Sequence, residues 1–180
     1  MRSGSTRILV AAVLVLVVCG CGADGQGVGP VLHSLPGVSY VRSDYSRGSV
    51  APPDQYRYFI ALSYGAADTI SFACGDTVWT ELFDASARDL QDLNDLMIAK
   101  GIFRPFWEIM IPPPIGGASR WLRVRAGWKT YEIPPYVRDV AATSPVYARI
   151  DTLVPAMIWD SLWARRGRYI RDQDLLNRHP

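Results

Sequence analysis

Histidine and lysine are almost missing from this chain of 180 residues, with two of each. His33 lies in a Gly- and Pro-rich stretch and His179 sits beside the C-terminus, so neither belongs to a predicted core. A Ser-His-Asp or Cys-His mechanism needs an imidazole within hydrogen-bond reach of its nucleophile, which here requires a flank to fold back. Also lacking are G-x-S-x-G, a Gly-rich loop running into Lys-Ser/Thr, C-x-x-C and H-E-x-x-H. Metal hydrolysis and nucleotide chemistry thereby lose their usual parts. No acidic loop has the density of a calcium site, and neither a metal nor a cofactor is expected.

Charge of one sign is lacking too. Lys plus Arg total 19 against 17 acids, and setting aside Arg2 and Arg7 leaves 17 against 17. A body of zero net charge has no global field to gather phosphate backbones, so nucleic acid is not an expected partner. Long apolar runs are absent as well. The longest, residues 8–18, has eleven residues, about half of the ~20 that span a bilayer.

What is present is 49% apolar and 20% charged residues, a balance that excludes collagenous, disulfide-scaffold and wholly disordered chains. The length suits one domain with extensions. At the N-terminus, residues 1–7 carry two arginines and no acid ahead of the eleven-residue apolar run, the layout of a secretory signal. Then comes Val18-Cys19-Gly20-Cys21. This resembles the lipobox of bacterial lipoproteins, in which an aliphatic residue stands three before the modified cysteine and a small one directly before it. Val18 and Gly20 match, and Cys19 departs from the small or short aliphatic residue usual at its position. The resemblance implies that residues 1–20 are a signal peptide and that Cys21 becomes an acylated first residue of the mature chain. Two acyl chains hold a protein durably where one does not. The implied location is the cell envelope, lipid-anchored on the outer face of a bacterial membrane or facing the periplasm. Cleavage after Ala23 is the alternative, leaving a soluble secreted protein.

With Cys21 acylated and Cys19 discarded, Cys74 is the one remaining thiol, in a sequence that reads as a half-buried strand and predicts an inert side chain. Were Cys21 unmodified, a Cys21–Cys74 bridge would become possible.

Residues 21–54 are rich in Gly, Ser and Pro and predict a flexible tether with a mean reach of ~30 Å, although Tyr40, Val41 and Tyr45 can pack onto the body. Residues 55–171 read as one domain. Tyr58, Ile60, Leu62 and Tyr64 alternate with Arg57, Phe59, Ala61 and Ser63, a strand covered on both faces. Residues 69–74 and 77–82 flank Gly75-Asp76, a two-residue hairpin signal. Together these predict a three-stranded meander.

Ser86 and Asp89 form a capping pair ahead of Leu90, Leu93, Met97 and Ile98, with Lys100-Gly101 as the stop, so residues 87–100 predict a helix. Asp92 and Asp95 fall on its solvated face. Residues 103–111 read as extended and end at Pro112-Pro113-Pro114. A second hairpin follows over residues 120–125 and 128–133, turning near Ala126-Gly127. Ser144-Pro145 opens another helix, kinked or split at Pro155 and stopped at Gly167. Residues 172–180 read as a frayed tail.

The expected fold is α+β: an antiparallel sheet, meander plus hairpin, packed on one face by two main helices. This order is similar to small exported bacterial α+β domains of undefined function, a resemblance resting on Gly75-Asp76, Leu90, Leu93, Phe103 and the Trp121 hairpin, and one that implies no catalytic residue.

Two features bear on function. Glu81, Asp84, Glu108 and Glu132 lie on or near sheet edges, where a carboxylate pair would serve glycoside hydrolysis; surface pairing with arginine is the structural alternative. All six tryptophans fall between Trp79 and Trp163. Trp121, Arg123 and Arg125 share a strand face, and Trp128, Thr130 and Glu132 share the facing one. Aromatic faces stack on sugars and arginine forks pair with carboxylates, so Trp121, Arg123, Arg125 and Trp128 are candidate ligand-binding residues; packing beneath the helices is the plainer alternative. Trp159 and Trp163, four apart on a helix, are expected to cover the sheet. The leading expectation is a non-enzymatic envelope module that binds a protein or glycan. An envelope hydrolase is second, and an accessory subunit pairing through a sheet edge is third.

Overall fold

Period-two alternation makes strands with two unlike faces, and the fold follows from where each face goes. The computed structural model describes residues 37–48, 54–114 and 117–178, with side chains as far as residue 175. In chain order these form β1 (Val38–Arg47), β2 (Tyr56–Ser63), β3 (Asp68–Cys74), β4 (Thr77–Phe83), α1 (Ala87–Ala99), β5 (Ser119–Ala126), β6 (Lys129–Ile133), α2 (Val140–Leu153) and α3 (Ala156–Arg178). The strands form one antiparallel sheet in the order β4-β3-β2-β1-β5-β6. The helices pack on it, giving an α+β fold. The leader, Cys21 and the first part of the tether lie outside the described residues.

On the helix-covered face, register aligns Trp79, Phe72, Tyr58, Tyr45 and Arg120 across five strands. The next row brings Ile70, Ile60, Ser43, Leu122 and Ile133 together, every one buried completely. α3 lays Trp159 edge-on to Tyr58 and Trp163 edge-on to Phe72, with ring centroids 5.0 Å apart in both pairs. Each geometry suits the ring quadrupoles. The two helical tryptophans therefore cover the sheet, and Phe72 is fully buried beneath them.

α1 begins where its capping pair places it. Ser86 Oγ accepts from the Asp89 amide at 3.1 Å and donates to its carboxylate at 2.6 Å. It ends where Gly101, at φ 64°, lets the Ile102 amide reach back to the Met97 carbonyl. Arg149 of α2 joins Asp89 at 2.6 Å, fixing α1 to its neighbour.

Four boundaries differ from the sequence-based expectation. The largest concerns residues 38–47, assigned to the tether: they are β1, a central strand paired with both β2 and β5. Val41 and Ser43 on it are fully buried. The second hairpin turns at Gly127-Trp128, so Trp128 is at the tip and not in β6. α2 starts at Val140, a turn before Ser144-Pro145, because Asp139 caps it by accepting from the Ala142 amide at 3.1 Å. Pro145 consequently lies within the helix. The break at Pro155 is as expected, and of the two forms it is a split: Val154 is extended between α2 and α3. Finally, α3 continues through Gly167 to Arg178, past both the expected stop and into the expected tail. Tyr169, beyond Gly167, packs edge-on against Trp79, so contact with the sheet continues where propensity alone would end the helix.

A buried carboxylate ties the loops to the sheet. Asp68 is 2% exposed and accepts from the Ser63 amide at 2.8 Å and the Ala85 amide at 2.7 Å. It thus links the β2–β3 turn to the entry of α1, satisfying two amides at once.

Candidate functional site

The sheet face away from the helices holds the candidate site. Its rows follow from register. Thr80, Ser71, Phe59, Asp44 and Trp121 lie side by side across five strands, and Val78, Ala73, Arg57, Ser46 and Ser119 form the adjacent row. No described helix covers these side chains, yet Ser71 and Ala73 are each only 8% exposed. Larger neighbours rise around them. The result is a cleft of about 440 Å³, with Phe59, Val78, Trp121 and Pro135 among its apolar walls. That volume is within the range of small-ligand sites.

Charge in the cleft is unevenly neutralised. Arg42 donates to Asp44 through two nitrogens, at 2.8 and 2.9 Å, and lies flat over the Phe59 ring, 4.0 Å from its centroid. The hydrogen bond to Asp44 raises the Arg42 guanidinium above its ordinary value, in spite of partial burial. Asp44 is therefore occupied. Arg57, one row away, makes no ion pair with any described residue. It also lines a second, more polar hollow of about 280 Å³ at the strand ends. Ser46, Arg57 and Ala73 line both hollows, so the apolar cleft runs directly into the more polar one. On the other side, Trp121 separates the cleft from a shallow hollow lined by Arg42, Asp44 and Arg123.

Beneath the sheet, Arg120 is held in a different environment. It reaches Asp151 of α2 at 2.5 Å, donates to the Tyr58 hydroxyl, and lies 5.1 and 5.2 Å from the Tyr45 and Tyr147 ring centroids. Burial opposes its charge, but the bond to Asp151 and the surrounding tyrosines carry its pKa above the ordinary value. Burial likewise pushes the Asp151 carboxyl up, against the pull of Arg120. Desolvation raises Tyr147 to about 12 and Tyr45 to about 12. These phenols stay neutral near pH 7, and the cluster is a packed ion pair inside an aromatic cage.

The sequence-derived candidates divide. Trp121, Arg123 and Arg125 do share the helix-free face, and Trp121, 42% exposed, is part of the cleft wall. Arg123 is engaged by Glu132 at 2.8 Å. Trp128 stands apart at the hairpin tip, 86% exposed, with the Lys129 ammonium 4.9 Å from its ring centroid. Of the four carboxylates considered for hydrolysis, Glu81 pairs with Arg165 at 2.6 Å, Glu108 with Arg138 at 2.9 Å and Glu132 with Arg123; Asp84 is exposed. Their geometry is that of surface ion pairs. Cys74 is 1% exposed, and burial pushes its thiol up, away from nucleophilic character.

Sequence reasoning missed Asp44, Arg57 and Phe59 as a group. Phe59 had a signal: it is the one aromatic on a strand face otherwise made of Arg57, Ala61 and Ser63. Asp44 had none, since its strand was read as tether. No family model matches the chain, and no curated protein matches it either.

Proposed function

We propose that this chain is a non-enzymatic binding module of the bacterial cell envelope, anchored through acylated Cys21 and using the helix-free face of its sheet as the ligand surface. The observation that carries the binding half is the cleft lined by Phe59, Trp121, Val78 and Pro135. An antiparallel sheet that keeps one face free of helices ordinarily makes that face polar. Here Val78 and Leu82 remain 58% and 66% exposed on it, with Trp121 between two hollows. Apolar walls with a few placed polar groups are the ordinary makeup of a ligand site. The ion-paired state of Glu81, Glu108 and Glu132 supports binding over hydrolysis.

The anchoring half rests on the Val18-Cys19-Gly20-Cys21 sequence and its apolar leader. Among the described residues no helix is long and apolar enough to cross a membrane. Attachment is assigned to the lipid on the Val18-Cys19-Gly20-Cys21 sequence alone. Intact mass of membrane-extracted protein tests this half. The wild type is expected to begin at Cys21 with acyl mass added, and Cys21→Ala to lose both the added mass and membrane retention. An unacylated product beginning after Ala23 would overturn it. The binding half is tested by Trp121→Ala, which is expected to weaken ligand capture at least tenfold while leaving the thermal transition within a few degrees of wild type.

A further inference from the structure

Resting on the reading of Cys21 as the acylated anchor, we infer that the tip of the β5–β6 hairpin docks on the bilayer, with the Trp128 ring among the headgroups of anionic lipids and Arg125 and Lys129 on their phosphates. Residues 38–47 belong to the sheet, so only residues 22–36 separate the anchor from Gly37. Fully extended, such a segment spans at most about 50 Å. Gly37 lies at the tip, its carbonyl accepting from the Gly127 amide at 3.4 Å. The chain that comes from the membrane therefore enters the domain beside Trp128.

The tip suits a lipid surface in shape and charge. Trp128 is 86% exposed, although a hairpin turn favours glycine, asparagine or aspartate and does not call for an indole. An apolar ring with one polar N–H fits the level of lipid headgroups. Arg125 and Lys129 make no ion pair with any described residue. Register pairs Arg125 with Thr130 on the helix-free face and Lys129 with Ala126 on the other, so the two cations flank the tip from opposite sides. A small anion cannot meet both, whereas a bilayer receiving the tip can, and such basic residues are drawn to anionic lipid. Phe106 and Ile111 are also well exposed, at 85% and 77%. Their segment bridges through Ile109 to Val137, beyond the far end of β6, and its flanking arginines are taken by Glu108 and Asp139. It offers anionic lipid no such cation. One indole and two cations hold a bilayer weakly by themselves, but the anchor sets an effective concentration on the order of millimolar, at which weak contact fixes orientation. The cleft residues Ser46 and Ser119 lie at the strand ends remote from Gly37 and Gly127, so docking at the tip turns the ligand surface away from the lipid.

The test places the full acylated chain in vesicles of phosphatidylcholine, with or without phosphatidylglycerol, whose brominated acyl chains quench tryptophan fluorescence nearby. Quenching is expected to be at least twofold stronger with phosphatidylglycerol. Trp128→Phe, at an exposed position that threatens folding little, is expected to remove more than half of it, and Trp107→Phe and Trp121→Phe to leave it unchanged. Arg125→Gln with Lys129→Gln is expected to erase the difference between the two vesicle types. Equal quenching of the wild type in both would overturn the role given to the cations. Loss of quenching through Trp107→Phe would put the Phe106 segment on the bilayer, and loss through Trp121→Phe the helix-free face; either overturns docking at the tip. An acylated chain that shows no quenching overturns the docking and leaves the anchor standing. An intact mass without added acyl groups overturns the anchor, and the docking that rests on it.

Discussion

Arg120 and Asp151 illustrate how a single pair can be costly to break and cheap to replace. Their side chains are 19% and 29% exposed, and tyrosine rings fill the space around the guanidinium. Removing one partner leaves the other charge largely desolvated. Arg120→Ala is therefore expected to destabilise the fold by about 3 kcal/mol, the lower end for a buried pair because some water reaches it. Arg120→Met with Asp151→Leu should cost less than the single change, since apolar replacement leaves no orphan charge. Urea denaturation of the three variants measures this. A double variant weaker than Arg120→Ala would show that the pair carries more than the cost of its own burial.

Two exposed carboxylates have the opposite titration. Asp139 is held below the ordinary carboxylate value, first by its hydrogen bond from Arg104 and then by the Ala142 amide. Asp89 is lowered through Ser86 and Arg149. A carboxyl lowered by folding stabilises the native state above its unfolded pKa, and that contribution is lost as pH falls through the folded value. Asp151, raised by burial, works in the other direction over the same acid range. The expected result is that Asp139→Asn lowers the melting temperature by a few degrees at pH 7, and that the difference from wild type shrinks toward pH 3. A constant difference across that range would contradict the ionic origin.

Among the elements, the β3–β4 hairpin and α3 constrain each other. Gly75 turns the chain at φ 55°, and a Cβ there would stand 2.3 Å from the Tyr169 hydroxyl. Gly75→Ala therefore meets two penalties, left-handed backbone strain of roughly 1–2 kcal/mol and a clash with a side chain beyond Gly167. Tyr169→Phe removes the hydroxyl and should recover part of the loss, because the ring carbon behind it is still 3.2 Å from the new Cβ. Thermal melts of the two single variants and the double variant separate these contributions. Full recovery in the double variant would mean that backbone strain is negligible; no recovery would mean that α3 already yields there. The aromatic row of Trp79, Phe72 and Tyr58 explains why α3 runs so far. Each ring offers another contact to the helix above it, which outweighs the roughly 1 kcal/mol cost of Gly167 in the helix interior.

For the molecule as a whole, β1 is the decisive element. It alone joins the β4-β3-β2 half of the sheet to the β5-β6 half. A chain starting at residue 55, where composition marks a boundary, would have two sheet fragments with exposed edges. It is expected to show no cooperative thermal transition. A chain starting at Ser34, the first residue of the compact unit containing the sheet, should retain one. Circular dichroism melts decide this. A cooperative melt from the shorter chain would show that the sheet closes without its central strand.

Local chemistry was legible wherever neighbours in sequence are also neighbours in space. The Ser86–Asp89 cap, the Gly75-Asp76 turn, the alternation of β2 and the break at Pro155 each depend on residues a few positions apart, and each is written in residue type. The boundaries of α2 and α3 were less legible, because Asp139 gains Arg104 and Tyr169 gains Trp79 only after folding. The same limit hid most of the candidate site. Trp121, Arg123 and Arg125 share a face by alternation alone, but Asp44 meets Phe59 and Trp121 only through the registers of β1 with β2 and β5.

By itself, then, the sequence determined the α+β class, the meander, the first helix and which residues of each strand point together, since these follow from side-chain period and turn chemistry. Tertiary structure decided that residues 38–47 form a strand, because their Gly- and Ser-rich surroundings carry weak local preference while partners on both sides supply the hydrogen bonds and burial. It also decided that an apolar cleft forms on the helix-free face, since that depends on side chains from separate strands and on where the helices do not go.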